Sequence, residues 1–188
     1  PDGNNYVFYG RGLCQGHSDA IRRIKGVKNA VQYTVPYDDA VESVRNGENP
    51  IFDSVRKTMW RECFVVLEDG ANQLEIEKEI KEMPNYFKPY NTVVHFISEE
   101  ELKEKHNSMP HGGFVLRSGK TSPNTNQIAE FSLKLDSNPE FTASVLVSYA
   151  RAIYKMRKQG KVGAITVLDV PIALLSPKNN EELLKNLL

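Results

Sequence analysis

Apolar and polar positions change their period repeatedly along the chain, and each change marks an element. Residues 6–9, Tyr-Val-Phe-Tyr, are a short aromatic and β-branched run ending in Gly10-Arg11-Gly12-Leu13-Cys14-Gln15-Gly16, so a strand enters a tight glycine-rich loop. A helix follows, with Ser18 as its cap, Ala20, Ile21 and Ile24 as its apolar stripe, and Gly26 as its stop. Residues 30–35 read as a second strand closed by Pro36, and Asp38-Asp39 opens a short helix to about Asn46-Gly47. The apolar run 63–67 suits a buried strand, while Leu74, Ile76, Ile80 and Met83 among charges over 73–83 describe an exposed amphipathic helix. Residues 92–97 predict a strand and 99–106 a charged helix; 113–118 predict a strand entered through Met109-Pro110-His111-Gly112.

The clearest period-2 signal spans 127–135. Gln127, Ala129, Phe131, Leu133 and Leu135 alternate with Ile128, Glu130, Ser132 and Lys134, as in a half-buried antiparallel strand of a sheet with one open face. Asn138-Pro139-Glu140 supplies an N-cap, a proline at the first helical position and an acid in the first turn of the longest helix, which runs to Gln159-Gly160. Residues 164–168 predict a last strand, and 181–188 a terminal helix with Leu183, Leu184, Leu187 and Leu188 on adjoining positions. Strands and helices mix without strict alternation. The fold class is therefore α+β, a mixed, mainly antiparallel sheet with helices packed on one face, in one domain over residues 1–188.

Composition narrows the function. Hydrophobic residues make 40% and charged residues 26%, and 24 basic side chains balance 24 acidic ones, which excludes both disorder and a polybasic nucleic-acid binder. No run approaches the roughly 18 apolar residues of a membrane helix, and the N-terminus lacks the order of a signal peptide. Two cysteines cannot staple a chain of this length, which fits a reducing, cytoplasmic setting. The chain opens at Pro1 without methionine and runs at once into a strand, as a cut piece of a longer protein would.

Several residues could carry chemistry. The Gly10-x-Gly12-x-x-x-Gly16 loop between strand and helix offers backbone N–H groups to an anion, or serves only a tight turn. A dinucleotide unit would place an acid about 20 positions further on to hold the ribose, where this chain has Tyr33-Thr34-Val35-Pro36. Cys14-x-x-His17 lacks a second ligand pair for zinc, and neither Cys14 nor Cys63 has a base in a recognisable order, so both read as core or loop residues. His111 stands between a proline and two glycines in a rigid loop, as a site residue or as a histidine bonded to a neighbouring carbonyl. Arg61 flanks a buried strand and wants an anion for its planar fork, or pairs with Glu62 or another surface acid. Helix capping accounts for Asn138 without a site.

The segment Gly10-x-Gly12-Leu13-x-Gln15-Gly16-His17-Ser18-Asp19-Ala20, with Arg22-Arg23-Ile24 and Ala30-Val31-Gln32-Tyr33-Thr34, closely resembles the meso-diaminopimelate dehydrogenase family. Arg61-x-Cys63-Phe64-Val65-Val66, Met83-Pro84-Asn85-Tyr86-Phe87, Met109-Pro110-His111-Gly112-Gly113, Leu135-Asp136-x-Asn138-Pro139-x-Phe141 and Gly163-Ala164-x-Thr166-Val167-Leu168 continue the likeness in family order. The resemblance implies NADP-dependent oxidative deamination at the D-centre of meso-2,6-diaminopimelate, giving L-2-amino-6-oxopimelate and ammonia, within lysine biosynthesis. It assigns the Gln15 and Gly16 amides to the carboxylate beside the reacting centre, and Arg61, Thr34 and His111 to the distal carboxylate. It assigns His111 with Asn138 to the distal amino group and places Asp19 in the same pocket. Tyr9 stands where the family often has Trp, keeping an aromatic wall without the indole N–H.

The same resemblance implies that the family's N-terminal Rossmann domain, which binds NADP and supplies the acids near the reacting amino group, precedes this chain. These 188 residues then form the substrate-binding and dimerisation part of a homodimer, inactive alone and binding no cofactor. Two other classes share the residues: a stand-alone amino-acid-binding regulatory domain using the Arg61 and Thr34 grip without chemistry, and a structural dimerisation module needing neither.

Overall fold

The computed structural model describes residues 2–187 and divides the chain into two compact units, Pro1–Ser137 and Asn138–Leu188. The first unit holds two sheets. A three-stranded antiparallel sheet has the order β1 (Asp2–Tyr9), β6 (His111–Ser122), β7 (Thr125–Leu135). A four-stranded sheet has the order β2 (Gly12–Leu13), β3 (Val27–Pro36), β4 (Met59–Leu67), β5 (Asn91–Phe96), and only its β4–β5 pairing is parallel. Together with the helices this is the mixed, mainly antiparallel α+β class.

Each sheet buries one face because its strands alternate. In the four-stranded sheet Ala30, Cys63 and Val65 pack against Ile21 of α1 (Gln15–Arg22), Ile76 and Ile80 of α3 (Gln73–Glu82), and Phe87. Leu74, in the same helical run, stays exposed. In the three-stranded sheet Phe8 and Leu116 pack against Ala40, Val41 and Val44 of α2 (Asp38–Arg45). Glu130 lies on that inner face too and receives a two-pronged grip from Arg45, at 3.1 and 2.6 Å. Helix α4 (Glu99–Lys105) is capped by Ser98, whose side chain accepts from the Glu101 N–H.

The 127–135 alternation survives with its sides reversed. Register sets Phe131 beside Val115 and Val115 beside Val7, and all three are exposed, Phe131 by 64%. The apolar face of β7 is thus the open face of the sheet, because the arginine of α2 claims the other side through Glu130.

Two further expectations give way. Ser18 does not cap α1: Cys14 holds that position with no side-chain cap, while Ser18, fully buried inside the helix, donates to the Cys14 carbonyl and accepts from the Gln32 N–H at 2.9 Å. Residues 164–168 form no strand. Thr166 and Asp169 close a capping box around the short turn Val167–Asp169, which satisfies locally the polar groups a strand would have to pair with a neighbour.

The second unit contains α5 (Asn138–Lys158) and α6 (Asn180–Leu187). Arg151 and Lys155 of α5 donate to the carbonyls of Leu175 and Ser176, tying the helix to the chain that follows it. Leu184 of α6 is exposed, and Leu188, placed in the same stripe by sequence, lies outside the described residues. No helix among the described residues is long and apolar enough to cross a membrane.

Candidate functional site

The two sheets meet at the segment 10–14. The Gly10 N–H donates to the Gly112 carbonyl and the Leu13 N–H to the Pro110 carbonyl, while Cys14 donates to Gln32, each at 2.9 Å. These bonds hold three pieces together: the start of β6 with His111, the end of β3 with Thr34, and the N-terminus of α1. They also occupy the Gly10, Leu13 and Cys14 N–H groups.

Thr34 and Arg61 are register partners on β3 and β4, both buried, and the Arg61 Nη1–H donates to the Thr34 hydroxyl oxygen. The Arg61 guanidinium lies over the Tyr90 ring, 3.9 Å from its centroid. Its Nε is buried without a hydrogen-bond partner, and among the described residues no acid pairs with it. Glu62, the acid next in sequence, points to the opposite face of β4 and binds Arg11 there at 2.9 Å. The surface salt bridge open to Arg61 on sequence grounds is therefore not made.

His111 is the first residue of β6 rather than part of a loop, and its Nδ1 is the second buried nitrogen without a partner. A side chain at Gly12 would put its Cβ 2.7 Å from that nitrogen, so only glycine leaves His111 its place. Gly12 is in turn the register partner of Thr34. His111, Gly12, Thr34 and Arg61 therefore form one row across the seam. Tyr9 and His111 also line a shallow hollow of about 160 Å³ with Val7, Phe131 and Leu133.

Helix α1 begins beside this row. The Ser18 N–H reaches the Cys14 carbonyl, which leaves the Gln15, Gly16 and His17 N–H groups without an intramolecular bond among the described residues. The Cys14 sulfur is 3.7 Å from the Thr34 hydroxyl, fixing that helix end against the arginine's partner. Unpaired amides and the positive end of the helix both favour a carboxylate. By contrast, a groove of about 990 Å³ is lined by five acids, Glu68, Asp69, Glu99, Glu100 and Glu101, against Lys28 as its one basic residue, and would repel a carboxylate.

Of the other predicted residues, Asp19 does not join this row. The Asp19 carboxylate lies along its own helix, 2.6 Å from Arg23 and 3.8 Å from Arg22. Asn138 begins α5 in the second unit. Among the described residues no three histidine, cysteine or acidic side chains gather to hold a metal. Burial pushes the Cys63 thiol up to about 12, which makes it a core residue and no nucleophile.

Three residues of the site escape sequence reading. Gln32 is fully buried; its side-chain Oε1 lies 3.0 Å from His17 Nδ1, and its side-chain Nε2 donates to the Thr34 hydroxyl oxygen at 3.5 Å. His17 packs edge-on to Tyr86, and burial, then the nearby Arg61 cation, holds its imidazole below the ordinary value. Tyr90 backs Arg61. A signal for Gln32 existed: Gln32-x-Thr34 puts two polar residues on one strand face, opposite Arg61-x-Cys63.

Residues 1–137, the first compact unit, match the family described as diaminopimelic acid dehydrogenase C-terminal domain. The meso-diaminopimelate D-dehydrogenase of Ureibacillus thermosphaericus is 63% identical over 188 residues, which is 100% of this chain and 57% of that protein. A crystal structure of a multiply substituted meso-diaminopimelate dehydrogenase from Clostridium tetani E88 with DAP superposes with a TM-score of 0.91 at 53% identity, covering 100% of this chain and 58% of that one. An engineered D-amino acid dehydrogenase bound to NADP+ gives 0.83 at 43% identity, covering 98% and 57%. The chain spans a little over half the length of these relatives.

Proposed function

Because this chain belongs to the diaminopimelic acid dehydrogenase C-terminal domain family, we propose that it is the substrate-binding and dimerisation part of a cytoplasmic meso-diaminopimelate dehydrogenase of lysine biosynthesis. The complete protein would oxidise the D-centre of meso-2,6-diaminopimelate with NADP+ and water to L-2-amino-6-oxopimelate, ammonium, NADPH and a proton. The cofactor is assigned to an N-terminal part that this chain does not span, since the glycine loop here lacks the acid about 20 positions further on that would hold the ribose.

What the chain contributes is position. A flexible dicarboxylate must be held at both ends before its reacting carbon meets a cofactor, and fixing it there removes much of the entropic barrier. The Gln15 and Gly16 amides at the head of α1 receive the carboxylate beside the reacting centre. Arg61, Thr34 and His111 receive the distal carboxylate, His111 also the distal amino group, and Tyr9 walls the site; Asn138 is assigned to that amino group by the family resemblance alone. For Asp19 to join them, its carboxylate has to leave Arg23.

One observation carries this reading: the two buried nitrogens without partners, Arg61 Nε and His111 Nδ1, are on two of the three side chains assigned to the distal carboxylate. An unmet buried donor such as Arg61 Nε costs about 1–3 kcal/mol, more when charged, and an incoming anion would relieve it, as it would for His111 Nδ1 in the tautomer that carries its proton there. The homodimer is supported by the open apolar face bearing Val7, Val115 and Phe131.

The test is the full-length protein with meso-diaminopimelate and NADP+. Formation of NADPH with stoichiometric ammonia is expected, and its absence with folded, cofactor-bound protein overturns the assignment. The 188-residue chain alone is expected to bind NADPH weakly and to run as a dimer in light scattering; saturable low-micromolar cofactor binding, or a monomer mass at high concentration, would refute those parts.

A further inference from the structure

Arg61 is held in an unusual way for a buried arginine. Most such groups are oriented by an acid, whose two oxygens fix the planar fork. Among the described residues Arg61 has none: one N–H goes to the Thr34 hydroxyl, Nε has no partner, and the guanidinium carbon lies 3.9 Å from the centroid of the Tyr90 ring. A single neutral hydrogen bond leaves the guanidinium free to swing about that contact. The ring closes this freedom, because a cation over an aromatic face is attracted to it and a planar one lies flat on it.

Tyr90 is itself well anchored. It follows Phe87, which is fully buried in the core of the four-stranded sheet, and its N–H donates to the Phe87 carbonyl at 2.8 Å. Arg56 clasps the chain on both sides, donating to the Lys88 carbonyl at 2.6 Å and to the Asn91 side chain at 3.1 Å. The segment 87–91 is thus a fixed platform, with the Tyr90 ring as its working surface.

We propose that Tyr90 is the positioning residue of the anion site, holding the Arg61 guanidinium in one plane so that Nε and the remaining N–H groups face a ligand carboxylate while Nη1 stays on Thr34. The proposal rests on the reading of Arg61 as the distal carboxylate's ligand and adds a specificity role. An acid in the place of Tyr90 would orient the arginine equally well but neutralise it. An aromatic ring orients the cation and leaves its charge for the substrate, so the ring favours ligands with a second carboxylate. The effect resides in the ring, since the Tyr90 hydroxyl makes no hydrogen bond among the described residues.

Two measurements on Tyr90→Leu and Tyr90→Phe decide it. In 15N spectra of the 188-residue chain, the Arg61 Nε–H gives a resolved signal shifted by the aromatic ring. That shift persists in Tyr90→Phe and disappears in Tyr90→Leu. In the full-length protein Tyr90→Leu raises KM for meso-diaminopimelate roughly tenfold. Its kcat, and its KM for D-alanine, which has no distal carboxylate, stay within about twofold; Tyr90→Phe restores the wild-type KM. An Arg61 signal unchanged in Tyr90→Leu overturns the proposal, as does a parallel rise in both KM values or a phenylalanine variant as impaired as the leucine one. Should the wild-type protein not oxidise meso-diaminopimelate at all, the functional assignment falls, and the Arg61 signal alone decides the role of Tyr90.

Discussion

An arginine lies over a tyrosine on each face of the β3–β4 pair, Arg11 over Tyr33 of β3 on one and Arg61 of β4 over Tyr90 on the other, and the two pairs are finished differently. On one face Arg11 lies 5.0 Å over Tyr33 and also bonds Glu62 at 2.9 Å; Glu62 in turn stands 3.5 Å from His95, which stacks on Phe64. His106 completes that face, 2.9 Å from the Tyr33 hydroxyl. On the other face Arg61 lies over Tyr90, deeper and with no acid, and a second unpaired nitrogen waits across the row on His111. The first face is electrostatically closed and explains itself as structure. The second is a buried cation left open, an arrangement that costs stability unless an anion completes it. The difference teaches that proximity of charged and aromatic groups does not identify a site; an unmet charge does.

The comparison breaks most sharply at the arginines. Arg61→Met in the full-length protein should weaken the dicarboxylate substrate about ten- to a hundredfold, the loss of a charge-assisted hydrogen bond of roughly 1.5–3 kcal/mol. It should also relax discrimination against D-amino acids lacking the second carboxylate, since they no longer strand a buried cation. Arg11→Met, by contrast, should change stability by only about 0–1 kcal/mol and leave catalytic efficiency alone. Equal ratios of efficiency for the two substrate types in wild type and Arg61→Met would make Arg61 another structural residue.

Gly12→Ala tests the row that joins Arg61 to His111. The added methyl would sit 2.7 Å from His111 Nδ1, so the ring must move at a cost of about 1–3 kcal/mol in denaturant unfolding, with weaker substrate binding. Gly16→Ala is its control for stability: no atom lies within 4 Å of the new Cβ, and alanine in a helix should gain about 0.5–1 kcal/mol.

Acid separates the faces more gently. His17, behind the open face, has a folded pKa below its ordinary 6.5, first from burial and then from Arg61. The unfolded chain therefore binds more protons as pH falls through 6.5, so stability present above that value is lost on acidification. His106 shifts the same way, by burial first. Thermal unfolding between about pH 5 and 8 should show Tm falling towards acid, less steeply in His17→Asn, which keeps a donor for Gln32 but does not titrate there. An identical acid limb in the variant would remove His17 from the coupling.

Much of this molecule was legible in the chain itself, because period and punctuation are local. Ile76 and Ile80 at helical spacing, the apolar run that became β4, Asp38-Asp39 opening α2 and the alternation of β7 all found their elements. Arg61, which on sequence grounds wants an anion, has no acid partner among the described residues. Period, however, says which residues share a face and not which face is covered. That Phe131 lies outside, that Ser18 bridges helix to strand from within α1, and that residues 164–168 settle into a capped turn were decided by what each segment met in three dimensions. The site follows the same division. Residue type marked Arg61 and His111 as candidates, but their unmet nitrogens, the glycine that spares His111 and the tyrosine under Arg61 come from segments far apart in sequence. A charge is satisfied or left open by its spatial neighbours, and only the folded chain chooses those.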